Sequence, residues 1–329
     1  MDDEQELNTE IRYREYQEGD EKSIVKLFNF VFNRNLTLSD WKWTYEKNPL
    51  NRIDIILAFN DNNLVGQSAG TPLQFSFNDI IVQTTRIQNV MVHPNYRGRG
   101  IFTGTLAGLT DHIYRNKLDL VVTFPNNNSL PAFIRKLDYH HIGNIPTFSI
   151  PVPSLNLPGS AKITIKIDDS ILFNEIDREF MYSNLNEYKI FNYRDLNYLH
   201  WRFNRKSGKK YYILRAFLKG KLAALVIFKF YLNSQSVDLV EFFVRAKTNI
   251  IDDLLAKIIS FYKKQNLSFN SFNIWSLPHY SYYDFLIESG FVQTNFSTHI
   301  VTKSFSPKTR GGFDLQTSYY ISMGDSDVY

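Results

Sequence analysis

Along the first third of the chain the apolar positions change period several times, and each change marks an element. In IRYREYQEGDEKSIVKLFNFVFN, Ile24, Leu27, Phe28 and Val31 recur three and four apart, the stripe of a helix with one buried face. Gly19-Asp20 mark the turn that separates it from a preceding strand. The run IDIILAFNDNNLVGQSAGTPLQFSFNDIIVQTTRIQNVMVHP then reads as successive strands, with NDNN and FND as turns. A glycine-rich turn follows, then helical spacing from about Ile101 to Asn116, a buried strand in LDLVVTF and a short helix in SLPAFIRKL. This order predicts a mixed α/β domain, α+β in its largely antiparallel sheet, ending near Leu155.

The stretch IPVPSLNLPGSAK, from Ile150 to Lys162, is rich in proline and reads as a linker. Beyond it the pattern partly repeats. With Trp43 set over Trp201, WTYEKNPLNRIDIILAFNDNNLVG aligns with WRFNRKSGKKYYILRAFLKGKLAA without a gap, pairing Ala58 with Ala216, Phe59 with Phe217 and Leu64 with Leu222. The period is far too long for a solenoid. Two copies of one domain are expected, at residues 1–155 and 156–329, each a largely antiparallel mixed sheet flanked by helices.

Composition narrows the chemistry. With 43% hydrophobic and 21% charged residues the chain has the balance of a globular protein with a sizeable core. The net charge of +4, from 37 basic and 33 acidic residues, is small and scattered, which argues against a nucleic-acid partner. There are no cysteines, which excludes disulfides, thiolate zinc sites and a cysteine nucleophile. The 7 histidines form no HExxH or clustered motif, so no metal is expected. The acidic start MDDEQELNTE is unlike a signal peptide, and no apolar run approaches the roughly 18 residues of a membrane span. A cytoplasmic monomer or homodimer is the expectation.

The turn in VMVHPNYRGRGIFTGTL carries the candidate chemistry. Backbone N–H groups that converge where a loop feeds a helix bind anions, and glycines let phosphate oxygens approach the main chain. Arg97-Gly98-Arg99-Gly100 supplies that freedom with two positive charges, and Thr103 and Thr105 bring hydroxyls to the first helical turn. Neither the GxxxxGK[ST] loop nor a GxGxxG fingerprint is present. Two readings stand on the residues alone: a pyrophosphate cradle, or a tight turn with two exposed arginines.

NVMVHPNYRGRGIFTGTL resembles the acyl-CoA motif V-x-P-x-x-[RQ]-x-x-G-x-[GA] of the GNAT (GCN5-related) N-acetyltransferases. Val92, Pro94, Arg97 and Gly100 match, while the last small residue of the pattern falls on Phe102. The resemblance is specific over about Ile87 to Ile142, and the family includes tandem members. It implies a two-domain GNAT arrangement using acetyl-CoA as co-substrate to acylate a small-molecule amine, an amino sugar or amino acid derivative. It further implies that the main chain of Arg97, Gly98, Arg99, Gly100, Ile101 and Phe102, with the Thr103 hydroxyl, holds the CoA pyrophosphate. Asn89, Val90 and Met91 would pair with the pantetheine, and Asn126 and Ser129 would lie beside it and its thiol.

The family often places its general acid in Y-x-x-x-G-F; here the segment is IRKLDY, with Ile134 and Asp138 at the Tyr and Gly positions, so that role does not carry over. Attack on a thioester needs a neutral amine and hence a base or water relay. Candidates are Glu46, His93, His140, His141 and, in the tail YYISMGDSDVY, Asp325 and Asp327. In the second half VEFFVRAKTNIIDDLLAKII has no glycine, and Asp252-Asp253 would face phosphates, so that copy is expected not to bind CoA but to complete an acceptor groove, with Tyr280, Tyr282 and Tyr283 as candidate lining. Two alternatives are a FemX-like aminoacyl transferase, which needs no CoA turn, and a non-catalytic acyl-CoA-binding protein.

Overall fold

The strands and helices follow the periods of the sequence closely. In the computed structural model, which describes residues 10–155, 163–168, 170–204, 210–232, 234–245, 250–311 and 315–326, the chain begins with β1 (Ile11–Glu15), α1 (Glu21–Phe32) and α2 (Leu38–Tyr45). Next come β2 (Asp54–Asn60), β3 (Asn63–Phe77), β4 (Ile80–Val92), α3 (Ile101–Arg115), β5 (Leu120–Thr123), α4 (Leu130–Leu137) and β6 (His140–Pro151). After β7 (Ile163–Asp168), α5 (Glu175–Leu185) and β8 (Ile190–Asn192) run α6 (Leu196–Phe203), β9 (Tyr212–Leu218), β10 (Lys221–Tyr231) and β11 (Ser236–Val244). The chain ends with α7 (Ile251–Lys263), β12 (Ser271–Trp275), α8 (Tyr283–Glu288), β13 (Val292–Ser304), α9 (Leu315–Ser318) and β14 (Tyr319–Tyr320).

These elements form two compact units. The first comprises residues up to Ile142 together with a segment starting at His299. Its strands run β1-β2-β3-β4-β5 and then the end of β13; β4 and β5 are parallel, the other neighbours antiparallel. Alternate residues of β2 point to opposite faces. Leu57 joins Ile24, Leu27, Phe28, Trp41 and Tyr45 of α1 and α2 on one side, while Ile56 joins Leu106, Leu109 and Ile113 of α3 and Phe133 of α4 on the other. Each such side chain, fully buried, contributes roughly 1.5–3 kcal/mol. The capping box of Thr37 and Asp40 starts α2.

The second unit runs from Gly143 to Thr298 and takes in the C-terminal tail. Its strand order is β6-β12-β11-β10-β9-β7, with β11 and β12 parallel and the rest antiparallel, and β14 adds a short parallel pair with β8. The order α2-β2-β3-β4-α3-β5-α4 of the first unit recurs here as α6-β9-β10-β11-α7-β12-α8.

Compaction does not divide the chain at the expected residue 155. The start of the expected linker is strand: Ile150 is buried and pairs with Phe272 inside the second unit. In exchange, Val301 to Ser304 pair with Thr123 to Leu120 and cover the outer edge of β5. The physical cause is edge satisfaction, since an open strand edge leaves main-chain N–H and C=O groups unpaired.

Candidate functional site

β4 is held on both sides only along its first part. It pairs with β5 from Thr84 to Ile87, and the Thr123 hydroxyl closes that ladder on the Ile87 carbonyl at 3.1 Å. From Gln88 to Val92 β4 continues against β3 alone. There Gln67 stands opposite Met91 and Ala69 opposite Gln88, so β4 carries one residue more than β3: a bulge at Asn89 and Val90. Asn89 takes the left-handed φ of 52°. Tyr45, the last residue of α2, pins the bulge: its hydroxyl accepts from Asn89 Nδ2 at 3.0 Å, while Gln67 Nε2 donates to the Asn89 carbonyl at 3.2 Å.

Past β4 the chain makes the glycine turn. His93 caps a short 3-10 turn over Pro94–Tyr96, and Gly98 and Gly100 follow with φ of 78° and 79°. A Cβ at either glycine would meet nothing within 4 Å, so backbone conformation rather than crowding at that atom selects glycine here. Gly100 begins α3, and the first amide to bond back is that of Gly104, to the Gly100 carbonyl at 2.8 Å. Among the described residues, the amides of Ile101, Phe102 and Thr103 donate to no main-chain carbonyl. That is the open end of a helix with its positive dipole pole, uncapped by any side chain. Arg97 and Arg99 are exposed beside it, Arg99 lying over the Tyr96 ring at 5.3 Å.

A cleft of about 340 Å³ joins the turn to the freed part of β4. Of the residues expected to bind cofactor, Val90, Met91, Arg97, Gly98, Gly100, Ile101 and Phe102 line it, with Val31 and Phe32 of α1, Val92 and Tyr96 added. Thr103 sits at the turn, but its hydroxyl donates to the Gly100 carbonyl at 3.0 Å. Thr105 does not reach the turn: it is buried, and its hydroxyl meets Ser68 Oγ at 2.8 Å and the Ile101 carbonyl at 3.0 Å. Asn126 and Ser129 lie together at the start of α4 and are occupied with one another, Asn126 Oδ1 accepting from the Ser129 amide at 3.0 Å and hydroxyl at 3.1 Å.

The candidate bases are scattered. Glu46 follows Tyr45 and pairs with Lys42 Nζ at 3.6 Å. His93 is stacked on Phe30 at 4.9 Å, edge-on to Tyr96, and its Nδ1 accepts the Asn95 amide, so it holds the turn. His140 is exposed on β6. Asp325 is 1% exposed and closed off from an acceptor amine, its oxygens engaged by Arg194, Asn192 and Ser322; Asp327 lies outside the described residues. Tyr280 and Tyr282 are core residues rather than groove lining, and Tyr283 packs edge-on to Phe148.

One residue absent from the sequence reading meets His141 past the end of β5. His299, delivered by β13, lies 5.2 Å from His141 in edge-on contact, and its Nε2 is 2.7 Å from Asn127 Oδ1. Burial, then the neighbouring His141, lowers the His299 pKa from the ordinary imidazole value. A second titratable group lies at the opposite end of α3. His112 is held between Asp54 Oδ1 at 3.1 Å and Glu15 Oε1 at 3.2 Å, with Arg52 on the far side of Asp54. The Asp54 bond foremost, then Glu15, raises the His112 pKa against the effect of burial. Burial opposes ionisation of Asp54, yet His112 and Arg52 outweigh it and its pKa is lowered; the bond to His112 lowers Glu15.

No helix among the described residues is long and apolar enough to cross a membrane. The family model for an acetyltransferase (GNAT) domain matches residues 12–142. A search by sequence among curated proteins returns no match. Solved structures similar to this chain include a probable N-acyltransferase from Enterococcus faecalis V583, 18% identical, with a TM-score of 0.70 over 90% of this chain and 73% of that one. A GCN5-related N-acetyltransferase from Anabaena variabilis ATCC 29413 is 14% identical, with a TM-score of 0.67 over 90% and 73%. One from Kribbella flavida is 11% identical, with a TM-score of 0.63 over 90% and 71%. At these identities the likeness is one of fold. Residues 12–142 thus match an acetyltransferase (GNAT) domain, and the chain shares its fold with N-acetyltransferases of that kind.

Proposed function

We propose that the first unit transfers an acetyl group from acetyl-CoA to the amine of a small acceptor, an amino sugar or amino acid derivative. The observation that carries this reading is the continuity of two main-chain surfaces along one cleft: the open amides at the start of α3 and the β4 stretch that β5 has left. The first suits a pyrophosphate, since N–H groups and a helix dipole converge on it. The second suits the amides of a pantetheine arm, which would continue the sheet ladder. The cofactor supplies a thioester carbonyl. The bulge at Asn89 and Val90, fixed by Tyr45 and Gln67, gives that carbonyl a rigid wall. The amine nitrogen attacks the carbonyl carbon, the C–N bond forms, the C–S bond breaks, and the proton lost by nitrogen ends on the thiolate. The second unit is read as a copy of the same fold without the cofactor turn, supported by the repeated element order.

Calorimetry with acetyl-CoA tests the reading. The wild type is expected to bind, and Gly100→Val to bind at least about tenfold more weakly with its circular dichroism unchanged, because a β-branched residue resists the left-handed φ at a strain of about 1–2 kcal/mol. A wild type that does not bind acetyl-CoA sinks the proposal.

A further inference from the structure

The last turn of α1 carries rings that its core-facing stripe does not use. Ile24, Leu27 and Phe28 are buried, whereas Phe30 is 61% and Phe32 38% exposed. A single exposed apolar side chain is ordinary, but these belong to a connected row. Phe30 lies parallel to the His93 ring, with centroids 4.9 Å apart and 12° between the planes. His93 stands edge-on to Tyr96 at 5.7 Å, and the Arg99 guanidinium lies over the Tyr96 ring at 5.3 Å. Phe32, Tyr96 and Arg97 also line the cleft, so the row is continuous with its mouth. The charge there is of one sign. Arg97 and Arg99 are exposed, no acidic side chain lines the cleft, and among the described residues Arg97 makes no ion pair.

Flat rings beside guanidinium groups suit a ligand that joins a heteroaromatic ring to a phosphate. Bases stack on aromatic side chains whatever their edge groups, and a guanidinium fork matches phosphate oxygens. A polyamine would be repelled by the two arginines, and an amino sugar brings neither ring nor anion. Acetyl-CoA brings both: beyond its pyrophosphate it carries an adenosine with a 3′-phosphate. We propose that Phe30 and His93, with Arg97 and Arg99, seat this nucleotide end. The adenine stacks on the face of Phe30 turned away from His93, and the 3′-phosphate is held by the arginines. This rests on the acyl-CoA reading above and assigns α1, which lies outside the glycine turn, a part in cofactor selection. The parallel packing of His93 keeps the Phe30 ring flat and in place.

The test compares calorimetric affinities for acetyl-CoA, acetyl-dephospho-CoA, which lacks the 3′-phosphate, and S-acetyl-4′-phosphopantetheine, which lacks the nucleotide end. The wild type is expected to favour acetyl-CoA over acetyl-dephospho-CoA by about tenfold or more. Phe30→Ala is expected to bind acetyl-CoA about tenfold more weakly and S-acetyl-4′-phosphopantetheine as the wild type does. Replacing Arg97 and Arg99 together by alanine is expected to reduce the preference for the 3′-phosphate to about twofold or less. Phe30→Ala with wild-type affinity for acetyl-CoA, or with an equal loss for S-acetyl-4′-phosphopantetheine, overturns the proposal, as does a wild type indifferent to the 3′-phosphate. A Phe30→Ala protein that loses free adenosine 3′,5′-bisphosphate yet keeps acetyl-CoA makes the row a separate nucleotide site, and overturns it too. A wild type that binds no acetyl-CoA overturns the reading beneath, whereas the other failures leave that reading standing.

Discussion

In the first unit β4 leaves β5 at Ile87, bulges at Asn89 and Val90, and runs on beside a cleft. In the second, β11 leaves β12 at Asp238, bulges at Val240, and runs on beside the chain's own tail. The tail is held closely there. Tyr320 stacks on Phe243, its hydroxyl lies 3.4 Å from the Phe242 carbonyl, and the Tyr280 hydroxyl bridges the amide and carbonyl of Ile321 at 2.8 and 3.0 Å. Parted strands leave polar main chain to be satisfied by something. The second unit uses residues 319–326, anchored by buried charge, whereas the first presents the open amides of Ile101, Phe102 and Thr103 and an open cleft. The same strand geometry is therefore filled by the chain itself in one unit and left as a cleft, the proposed cofactor site, in the other.

The largest effect expected from this comparison comes from the anchor of the tail. Arg194 is fully buried; its guanidinium donates to Glu241 and Asp325 at 3.0 Å, to the Asn192 carbonyl at 2.7 Å and to Ser322 at 3.2 Å. Burial pushes the Glu241 carboxyl up to about 7 even with Arg194 beside it. Arg194→Ala leaves two carboxyl groups buried without their cation, a loss of about 3–5 kcal/mol. Urea unfolding is expected to show that loss, while the acetyl-CoA affinity proposed for the first unit stays unchanged in native buffer. A parallel loss of acetyl-CoA binding would break the comparison.

A smaller probe asks how tightly the tail fits. Gly324 lies against Glu241, and a Cβ there would collide with its carboxylate. Gly324→Ala is expected to cost about 1–3 kcal/mol by overpacking, read as a lower urea midpoint. An unchanged midpoint would mean that the tail yields at this point, and that the second unit is less firmly closed than the first is open.

The elements and the glycine turn were legible because both are local: periods and φ-permissive residues act within a few positions. Contacts made across the sheet were not. Tyr45 reaches the bulge from α2, and His299 reaches Asn127 across 172 positions, contacts that only a sheet order can bring together. The same strand exchange moved the boundary away from residue 155, because β6 and β13 carry uniform strand patterns that do not reveal where one unit hands over to the other. Thr105 was misplaced by helix phase. It follows Ile101 by one turn and precedes Leu109 by another, on the stripe that faces the core. Asp325 read as a tail carboxylate with catalytic reach, since nothing near it in sequence announces Arg194.

The smallest effect sharpens the comparison through pH. The second unit locks its buried charge with a guanidinium that does not titrate, whereas the first closes the far end of α3 with His112 between Asp54 and Glu15. His112 has a raised pKa in the folded protein, so it binds its proton more tightly there than in the unfolded chain. The stability it contributes is fully present below the unfolded value of about 6.5 and is lost as pH rises through the raised folded value. Asp54 and Glu15 have lowered values, so their contribution is present above the usual carboxylate range and fades only in acid. Between about pH 6 and pH 9 the histidine alone of the three changes state. Comparing wild type with His112→Gln in urea over this range cancels titrations elsewhere, Glu241 included. The wild-type advantage is expected to be greatest near pH 6 and to shrink steadily towards pH 9. An advantage that stays flat, or grows with pH, would mean that the His112 ring packs as a neutral side chain and that the charge lock of the first unit resides in Arg52 and Asp54 alone.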